Sequence, residues 1–326
     1  MLPASVADRL GGLAPDQRRA ATAPPGPILC VAPAGSGKAK TLVARIAWLV
    51  ATGADPATIT AVTFNKRAAD EMAARVDAAL EPLGLAAGSV RVNTFHALGR
   101  EILADGDESV DPLLDREAVL RDMWPDITRG AIRHLDDAFS RLKLEIGVTA
   151  ARVATDPQPG PVARAFLAYE QALEDAGGLD FDDLVARAVR LLEARPPLLR
   201  RWRAKCEHLL VDEVQDVDRT QLQLALALAA PRNQVLFVGD DDQSLIASLP
   251  VPVRQAGGRL GPLTVAQGPI QAFVGRACDS TLARDRVPSP TSSWARRGRL
   301  AGKQRLHERG KRIRPGIDRL RFTGQP

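Results

Sequence analysis

The sequence predicts an α/β protein with a parallel sheet, and three observations lead to this fold class. Short apolar runs alternate with amphipathic helical patterns from residue 13 to about residue 104. The same alternation returns over 208–240, whereas 105–178 has helical periodicity only. Strands that alternate with helices form parallel sheets that helices cover on both faces. We therefore expect a discontinuous α/β domain over 1–104 and 179–248, interrupted by a helical domain over 105–178.

Each predicted element has its own signal. Five apolar runs are typical of buried strands: 27–32, 58–64, 90–95, 208–213 and 234–240. Apolar residues at helical spacing predict the helices that connect them, at 41–51, 66–80, 96–103 and 220–230. In the insertion, 111–124, 129–146 and 162–176 are amphipathic, and the Pro- and Gly-rich segment 155–161 is a linker. Asp180 is expected to cap a further helix.

The last part of the chain differs in composition. Residues 246–326 contain 16 basic residues (Lys and Arg) and 4 acidic residues (Asp and Glu). The preceding residues contain 28 basic and 35 acidic residues. The net charge of +5 therefore gives no argument for nucleic-acid binding by the chain as a whole. Because this segment is dense in Arg, Gly and Pro without a sustained period, we expect 249–326 to be a disordered basic tail or the product of a frameshift. A folded basic module is the alternative.

Composition also bounds the protein class. No apolar run reaches the roughly 18 residues that a membrane span needs, so we expect no membrane partner. The cysteines, Cys30, Cys206 and Cys278, are odd in number and far apart, which fits neither a disulfide framework nor a metal cluster. A reducing cytoplasm is therefore the expected location.

A glycine-rich loop follows the first predicted strand and opens a helix. Its glycines permit a tight turn whose N–H groups point at phosphates, and the helix N-terminus adds partial positive charge. Lys38 would reach the β- and γ-phosphates. The loop begins with Ala32 instead of Gly and has Ala39 where Ser or Thr would hold Mg²⁺, so a strand-to-helix turn without a ligand is the alternative. The expected nucleotide-binding residues here are Ala32, Pro33, Ala34, Gly35, Ser36, Gly37, Lys38 and Ala39.

Acidic residues follow two later strands. In a parallel sheet these strand ends open on the edge where ligands bind. Asp212 is expected to hold Mg²⁺, directly or through water, and Glu213 to polarise an attacking water; an acidic turn facing solvent is the alternative. Gln243, in the segment 238–244, is a candidate for contact with a γ-phosphate, although that segment also suits a solvated loop.

Seven segments resemble, in sequence order, the N-terminal motifs of superfamily 1 DNA helicases of the UvrD/Rep/PcrA kind. They are LAPDQRRA, AGSGK, TFNKRAADEM, NTFHALGREIL, GLDFDDL, LLVDEVQD and VGDDDQS, and they span Leu13 to Ser244. The resemblance implies a RecA-like P-loop ATPase domain interrupted by a helical domain. It also implies ATP hydrolysis with Mg²⁺, coupled to 3′–5′ movement on single-stranded DNA. We expect a monomer.

The resemblance also implies roles for individual residues. Gln17 is similar to the glutamine that reads adenine through one donor and one acceptor. Lys38 resembles the phosphate lysine, Asp212 the magnesium ligand, Glu213 the base and Gln243 the γ-phosphate sensor. The residues that match motifs contacting single-stranded DNA are Thr63, Phe64, Asn65, Thr94, Phe95 and His96. For Phe64 and Phe95 the alternative is core packing at a strand end, and for His96 a helix cap.

The sequence departs from the family pattern at three points. Ala39 removes the Mg²⁺ hydroxyl, and Thr41 does not replace it because two helical residues turn the side chain by ~200°. No aromatic residue follows VGDDDQS until Phe273, and the composition of 249–326 does not suit a second RecA-like domain. The main prediction is thus the ATP-binding portion of a helicase. The alternative is a truncated, catalytically impaired fragment that binds nucleotide and DNA without helicase activity.

Overall fold

A six-stranded sheet forms the centre of the fold. The structure is a computed structural model and describes residues 2–33, 35–147, 149–240 and 264–266. The strands are Ile28–Val31 (β1), Ile59–Thr63 (β2), Arg91–Thr94 (β3), His208–Val211 (β4), Val235–Gly239 (β5) and Thr264–Ala266 (β6). Their order across the sheet is β3-β2-β4-β5-β1-β6, in which the first five are parallel and β6 is antiparallel to β1.

Helices connect the strands and fill the insertion. Before and between the first three strands lie Ala4–Gly11 (α1), Pro15–Ala21 (α2), Lys38–Ala51 (α3) and Lys66–Leu80 (α4), and after them comes Phe95–Asp105 (α5). The insertion contains Arg116–Met123 (α6), Arg129–Ser140 (α7), a π-helical turn at Arg141–Ile146, Ala150–Val153 (α8) and Pro161–Asp175 (α9). The remaining helices are Phe181–Ala194 (α10), Pro196–Lys205 (α11) and Arg219–Ala229 (α12).

Two apolar cores lie on opposite faces of the sheet. Successive side chains of a strand point to opposite faces, so in β4 Leu209 and Val211 enter the core formed with α5, α10, α11 and α12. Leu210, between them, enters the other core, which α1 to α4 cover. β2 and β5 are buried along their whole length, as expected for central strands of a parallel sheet.

A third apolar cluster belongs to the insertion alone. Its buried residues lie on α6, α7 and α9, with Phe139, Phe166 and Tyr169 as its largest fully buried side chains. Buried charges link these helices to the start of α10. Asp180 accepts hydrogen bonds from Arg116 (2.7 Å), Lys143 (2.9 Å) and the Tyr169 hydroxyl (2.9 Å).

The predicted α/β class with a parallel sheet and a helical insertion is confirmed. All five predicted strands are present, and Asp180 caps α10 by accepting a hydrogen bond from the Asp183 N–H. β6 lies within 249–326, where we expected a disordered tail; the rest of that segment lies outside the described residues. In the described part of the chain, no helix combines the length and apolarity that a membrane span requires.

Candidate functional site: a phosphate loop beside two acidic strand ends

The glycine-rich loop connects β1 directly to α3. Gly35 and Gly37 have φ values of +77° and +85°, which are positions that glycine adopts without strain. The Ser36 N–H donates to the Pro33 carbonyl at 3.1 Å, and α3 begins at Lys38. The buried Ser36 hydroxyl has no hydrogen-bond partner among the described residues. The loop therefore has the backbone conformation of an anion-binding turn at a helix N-terminus.

Lys38 lies between three oxygen-bearing groups and is only 8% exposed. Its Nζ lies 3.4 Å from the Ala32 carbonyl oxygen, 3.2 Å from Asp240 Oδ2 and 3.6 Å from Glu213 Oε2. These groups follow β1, β5 and β4, which are neighbours in the sheet. Parallel pairing thus brings the lysine and both acidic strand ends to one edge, as the sequence predicts. Asp240 is an additional member that we did not predict.

Asp212 and Glu213 form the acidic part of this site. The Asp212 carboxyl is 8% exposed, and burial together with the neighbouring Glu213 charge raises its pKa to about 6. Its Oδ1 accepts a hydrogen bond from the Glu213 N–H at 3.1 Å. Glu213 has φ +50° and ψ +48°, a left-handed conformation that costs a non-glycine residue free energy. Such strain at a polar cleft is typical of functional sites.

The residues present fit a nucleoside triphosphate with Mg²⁺. The loop supplies an unpartnered Ser36 hydroxyl, and Asp212 is a buried carboxyl beside the acidic Glu213, at the same sheet edge as Lys38. Mg²⁺ is usually held by one or two carboxylates, substrate phosphates and water, so the absence of a cluster of three metal-binding side chains among the described residues does not argue against it. Ala39 contributes no ligand, and the Thr41 hydroxyl donates to the Gly37 carbonyl at 3.2 Å instead.

Gln17 contacts the phosphate loop directly. Its Nε2 donates to the Ser36 carbonyl at 2.6 Å, and its Oε1 accepts from the Ala14 N–H at 3.0 Å. The side-chain amide therefore lies at the loop, where the sequence predicts an adenine-reading glutamine. In this conformation both of its polar atoms contact the protein backbone.

The residues assigned to DNA contact lie at the ends of two neighbouring strands. β2 and β3 pair in register, so Thr63 lies beside Thr94. Thr94 caps α5 and Asn65 caps α4, each by accepting a backbone N–H. The Thr63 hydroxyl is buried against the Asn65 carbonyl at 3.1 Å. Three of the six residues thus have local structural roles, which leaves their contact with DNA a prediction.

The aromatic residues of these segments differ in exposure. Phe64 is 47% exposed, whereas Phe95 is 1% exposed and packs in the core on the α5 face of the sheet. The alternative of core packing therefore applies to Phe95, whose ring is too enclosed to stack a base in this conformation. The stacking hypothesis stays open for Phe64.

A second exposed ring was missed by the sequence reasoning. Phe181 is 56% exposed at the first residue of α10, and the His96 ring lies against it with centroids 4.8 Å apart. Burial lowers the pKa of His96, which favours the neutral ring. Thr94, not His96, caps α5. The signal for Phe181 was available in the segment GLDFDDL, where an apolar residue lies between acids that cap a helix.

Ala34 and Gln243 lie outside the described residues, and their roles stay predictions. The other predicted nucleotide-site residues lie in the loop after β1, in the first turn of α3 or directly after β4, except Gln17, which lies on α2.

A parallel sheet with a phosphate loop after β1 and an acidic pair after β4 defines a RecA-like nucleotide-binding fold. Residues 13–247 match the UvrD/REP helicase N-terminal domain, so the chain belongs to the UvrD/REP helicase family through this domain. The segment matched ends before the basic tail.

The names of similar proteins are consistent with this family assignment. The chain is 35% identical over 276 residues to the ATP-dependent DNA helicase UvrD1 of Mycobacterium leprae, a match that covers 75% of this chain and 35% of the relative. It is 33% identical to DNA helicase II of Escherichia coli K12, over 72% of this chain and 34% of the relative. It is 34% identical to the ATP-dependent DNA helicase PcrA of Staphylococcus epidermidis, over 71% of this chain and 33% of the relative. The chain thus spans about a third of the length of these relatives.

Proposed function

We propose that this chain is the ATP-binding portion of a 3′–5′ DNA helicase and hydrolyses ATP in a cycle coupled to single-stranded DNA. The observation that carries the proposal is the meeting of Lys38 with Glu213 at one edge of the sheet, 3.6 Å apart, with Asp212 adjacent. Phosphoryl transfer from a nucleotide uses three such groups: a cation that binds the phosphates, a carboxylate that holds Mg²⁺ and a carboxylate that orients and deprotonates the attacking water.

Each residue has a defined role in this proposal. The loop N–H groups and Lys38 bind the β- and γ-phosphates, and Asp212 would hold Mg²⁺, which would neutralise charge on the phosphate oxygens. Glu213 accepts a proton from water as the water oxygen bonds to the γ-phosphorus. The bond from that phosphorus to the β–γ bridging oxygen breaks, and ADP and phosphate leave. Gln17 reads the base, and Gln243 senses the γ-phosphate.

The DNA-binding part of the proposal rests on the exposed rings. Phe64 and Phe181 are the exposed large apolar side chains of the described residues. Aromatic side chains stack bases of any identity, which suits movement along a strand.

A division into an ATPase domain (1–104 and 179–248) and a helical domain (105–178) is part of the proposal, and the separate core of α6, α7 and α9 supports it.

The experiment is an ATPase assay with and without single-stranded DNA, in wild type and Glu213→Gln. We expect Mg²⁺-dependent hydrolysis that DNA stimulates and that Glu213→Gln lowers by 10²-fold or more. ATP binding, measured in parallel, should persist in the variant because the loop and Lys38 are unchanged. Turnover that survives Glu213→Gln would overturn the assignment of this residue.

A second candidate function is a nucleotide- and DNA-binding protein without turnover. Ala39 favours it, since the position cannot supply a hydroxyl to Mg²⁺ and the Thr41 hydroxyl bonds to Gly37. The variant Ala39→Thr separates the two candidates. Hydrolysis in wild type supports the first, whereas ATP binding without hydrolysis in wild type, with recovery in Ala39→Thr, supports the second.

A further inference from the structure

Gln215 joins the ends of two strands at the candidate site. It lies on the short helical turn Val214–Asp216 that follows the acidic pair. Its Nε2 donates to Glu213 Oε2 at 2.7 Å, and its Oε1 accepts from the Asp240 N–H at 2.9 Å. Because a backbone N–H only donates and a carboxylate only accepts, one orientation of the amide satisfies both contacts. This side chain therefore links the end of β4 to the end of β5.

The same carboxylate oxygen also faces Lys38. The distance from Lys38 Nζ to Glu213 Oε2 is 3.6 Å, longer than the ~2.7–2.9 Å of a charge-assisted hydrogen bond. Glu213 Oε2 thus accepts its short hydrogen bond from Gln215, and the Lys38 ammonium group lies farther from this oxygen. Without the Gln215 amide, the Glu213 carboxylate would form its most favourable remaining interaction by turning towards the Lys38 ammonium group. A tight ion pair there, added to the 3.2 Å contact between Lys38 Nζ and Asp240 Oδ2, would put a second carboxylate in competition with phosphate oxygens for the lysine.

Gly239, on β5, leaves room for this bridge. A Cβ atom at Gly239 would lie 2.7 Å from Gln215 Oε1 and 2.7 Å from Val214 Cγ1. Since both distances are far below van der Waals contact, any larger residue would displace the amide. The bridge can therefore be broken from either strand end.

We propose that Gln215 is a positioning residue that holds Glu213 against β5 and so keeps Lys38 available to nucleotide phosphates. This inference rests on the proposed function, in which Lys38 binds phosphates and Glu213 polarises water. It assigns to Gln215 a role that is measurable in ATP binding itself, before any turnover.

The experiment measures ATP affinity by displacement of a fluorescent ATP analogue. Gln215→Met, which keeps the length of the side chain and removes its hydrogen bonds, should weaken ATP binding about tenfold. In the Glu213→Gln background the same change should have no effect, because residue 213 then carries no charge that could turn towards Lys38, while the Asp240 carboxylate, 3.2 Å from Lys38 Nζ, is the same in both backgrounds. Gly239→Ala should weaken binding with the same dependence on Glu213, and it tests the bridge should Gln215→Met fold poorly. Gln171→Met, exposed on α9, is the matched control.

The outcomes separate this inference from the proposed function. Wild-type chain that binds no ATP would overturn the proposed function and this inference with it. Normal ATP affinity in both Gln215→Met and Gly239→Ala would overturn the inference alone. An equal loss of affinity in the wild-type and Glu213→Gln backgrounds would also overturn it, since Gln215 would then act without Glu213.

Discussion

The side-chain amide of Gln17 donates a 2.6 Å hydrogen bond to the carbonyl of Ser36 and so ties α2 to the phosphate loop. Gly37 allows this contact, because a Cβ atom there would lie 2.7 Å from Gln17 Nε2. A second bond, from Lys40 Nζ to the Gly12 carbonyl at 2.6 Å, joins the first turn of α3 to the end of α1. The loop is therefore held in its anion-binding shape by the N-terminal helices.

Gly37→Ala should destabilise the chain by displacing Gln17. The substitution adds the strain of a positive φ, about 1–2 kcal/mol, and loses the Gln17 hydrogen bond, about 1 kcal/mol. Denaturant unfolding measures the sum. Gly84→Ala is the matched control, because Gly84 has φ +77° and ψ +18°, close to the +85° and +27° of Gly37, but nothing within 4 Å of a Cβ. Equal destabilisation by the two substitutions would show that the contact with Gln17 contributes nothing.

Phe64→Ala and Phe181→Ala should weaken binding to single-stranded DNA without unfolding the chain. Both rings are about half exposed, and stacking on a base contributes ~1–3 kcal/mol, so we expect about a tenfold loss of affinity for each. Fluorescence anisotropy with a labelled oligonucleotide measures this. Phe95→Ala is the contrasting variant, since its ring is buried and its loss should cost about 3–5 kcal/mol of stability. Unchanged DNA affinity in both ring variants would contradict the assignment.

Asp218→Asn should stabilise the chain at neutral pH and not at acid pH. Burial, followed by the charge of Glu145, raises the pKa of Asp218 to about 7 from 3.8. The folded chain therefore binds this proton more tightly than the unfolded chain, and the carboxyl lowers stability as pH rises from about 4 to about 7. Asparagine keeps the cap on α12 and removes the charge.

The measurement for Asp218 is unfolding by urea at several pH values. Because the side chain is partly exposed, we expect a gain of about 2 kcal/mol at pH 8 that vanishes near pH 4. Asp115→Asn, an exposed cap on α6, is the control and should change stability little. A gain at pH 8 that persists at pH 4 would mean that removal of the charge is not its cause.

Periodicity and strand-end chemistry were sufficient to predict most of the fold. The strand Val235–Gly239 (β5) has no polar side chain because it is buried on both faces, and the tight turn that the glycine-rich loop predicts is present, with positive φ values at Gly35 and Gly37. The short strand β6 carried no such signal, since three residues cannot show a period. The helices α1 and α2 were also missed; they are short and lie before the first strand.

The site was less predictable than the fold because several contacts join residues distant in sequence. Lys38 pairs with Asp240, and Gln215 reaches the Asp240 backbone, only because β5 lies between β1 and β4. No local pattern encodes that order. The position of Phe95 in a motif did not indicate whether its ring is buried. The ring lies in the core because Phe95 is the first residue of α5, directly after β3.

Asp180→Asn should destabilise the chain, because it removes the anion that two buried cations share, although Arg116 keeps Asp182 (2.6 Å) and Lys143 keeps Glu170 (2.7 Å). Burial alone would raise the pKa of Asp180, but the charges of Lys143 and Arg116 outweigh it and hold the pKa well below its usual range. Asparagine keeps the cap on α10 through its amide oxygen, but its NH2 group replaces the oxygen that accepts from Arg116, Lys143 and Tyr169. The loss therefore measures these charged hydrogen bonds together with the charge, and because both cations keep other carboxylates we expect about 2–3 kcal/mol in urea unfolding. Asp70→Asn, at an exposed pair with Lys66, should cost well under ~1 kcal/mol. Similar losses for the two variants would mean that the buried charges contribute no more than a surface pair.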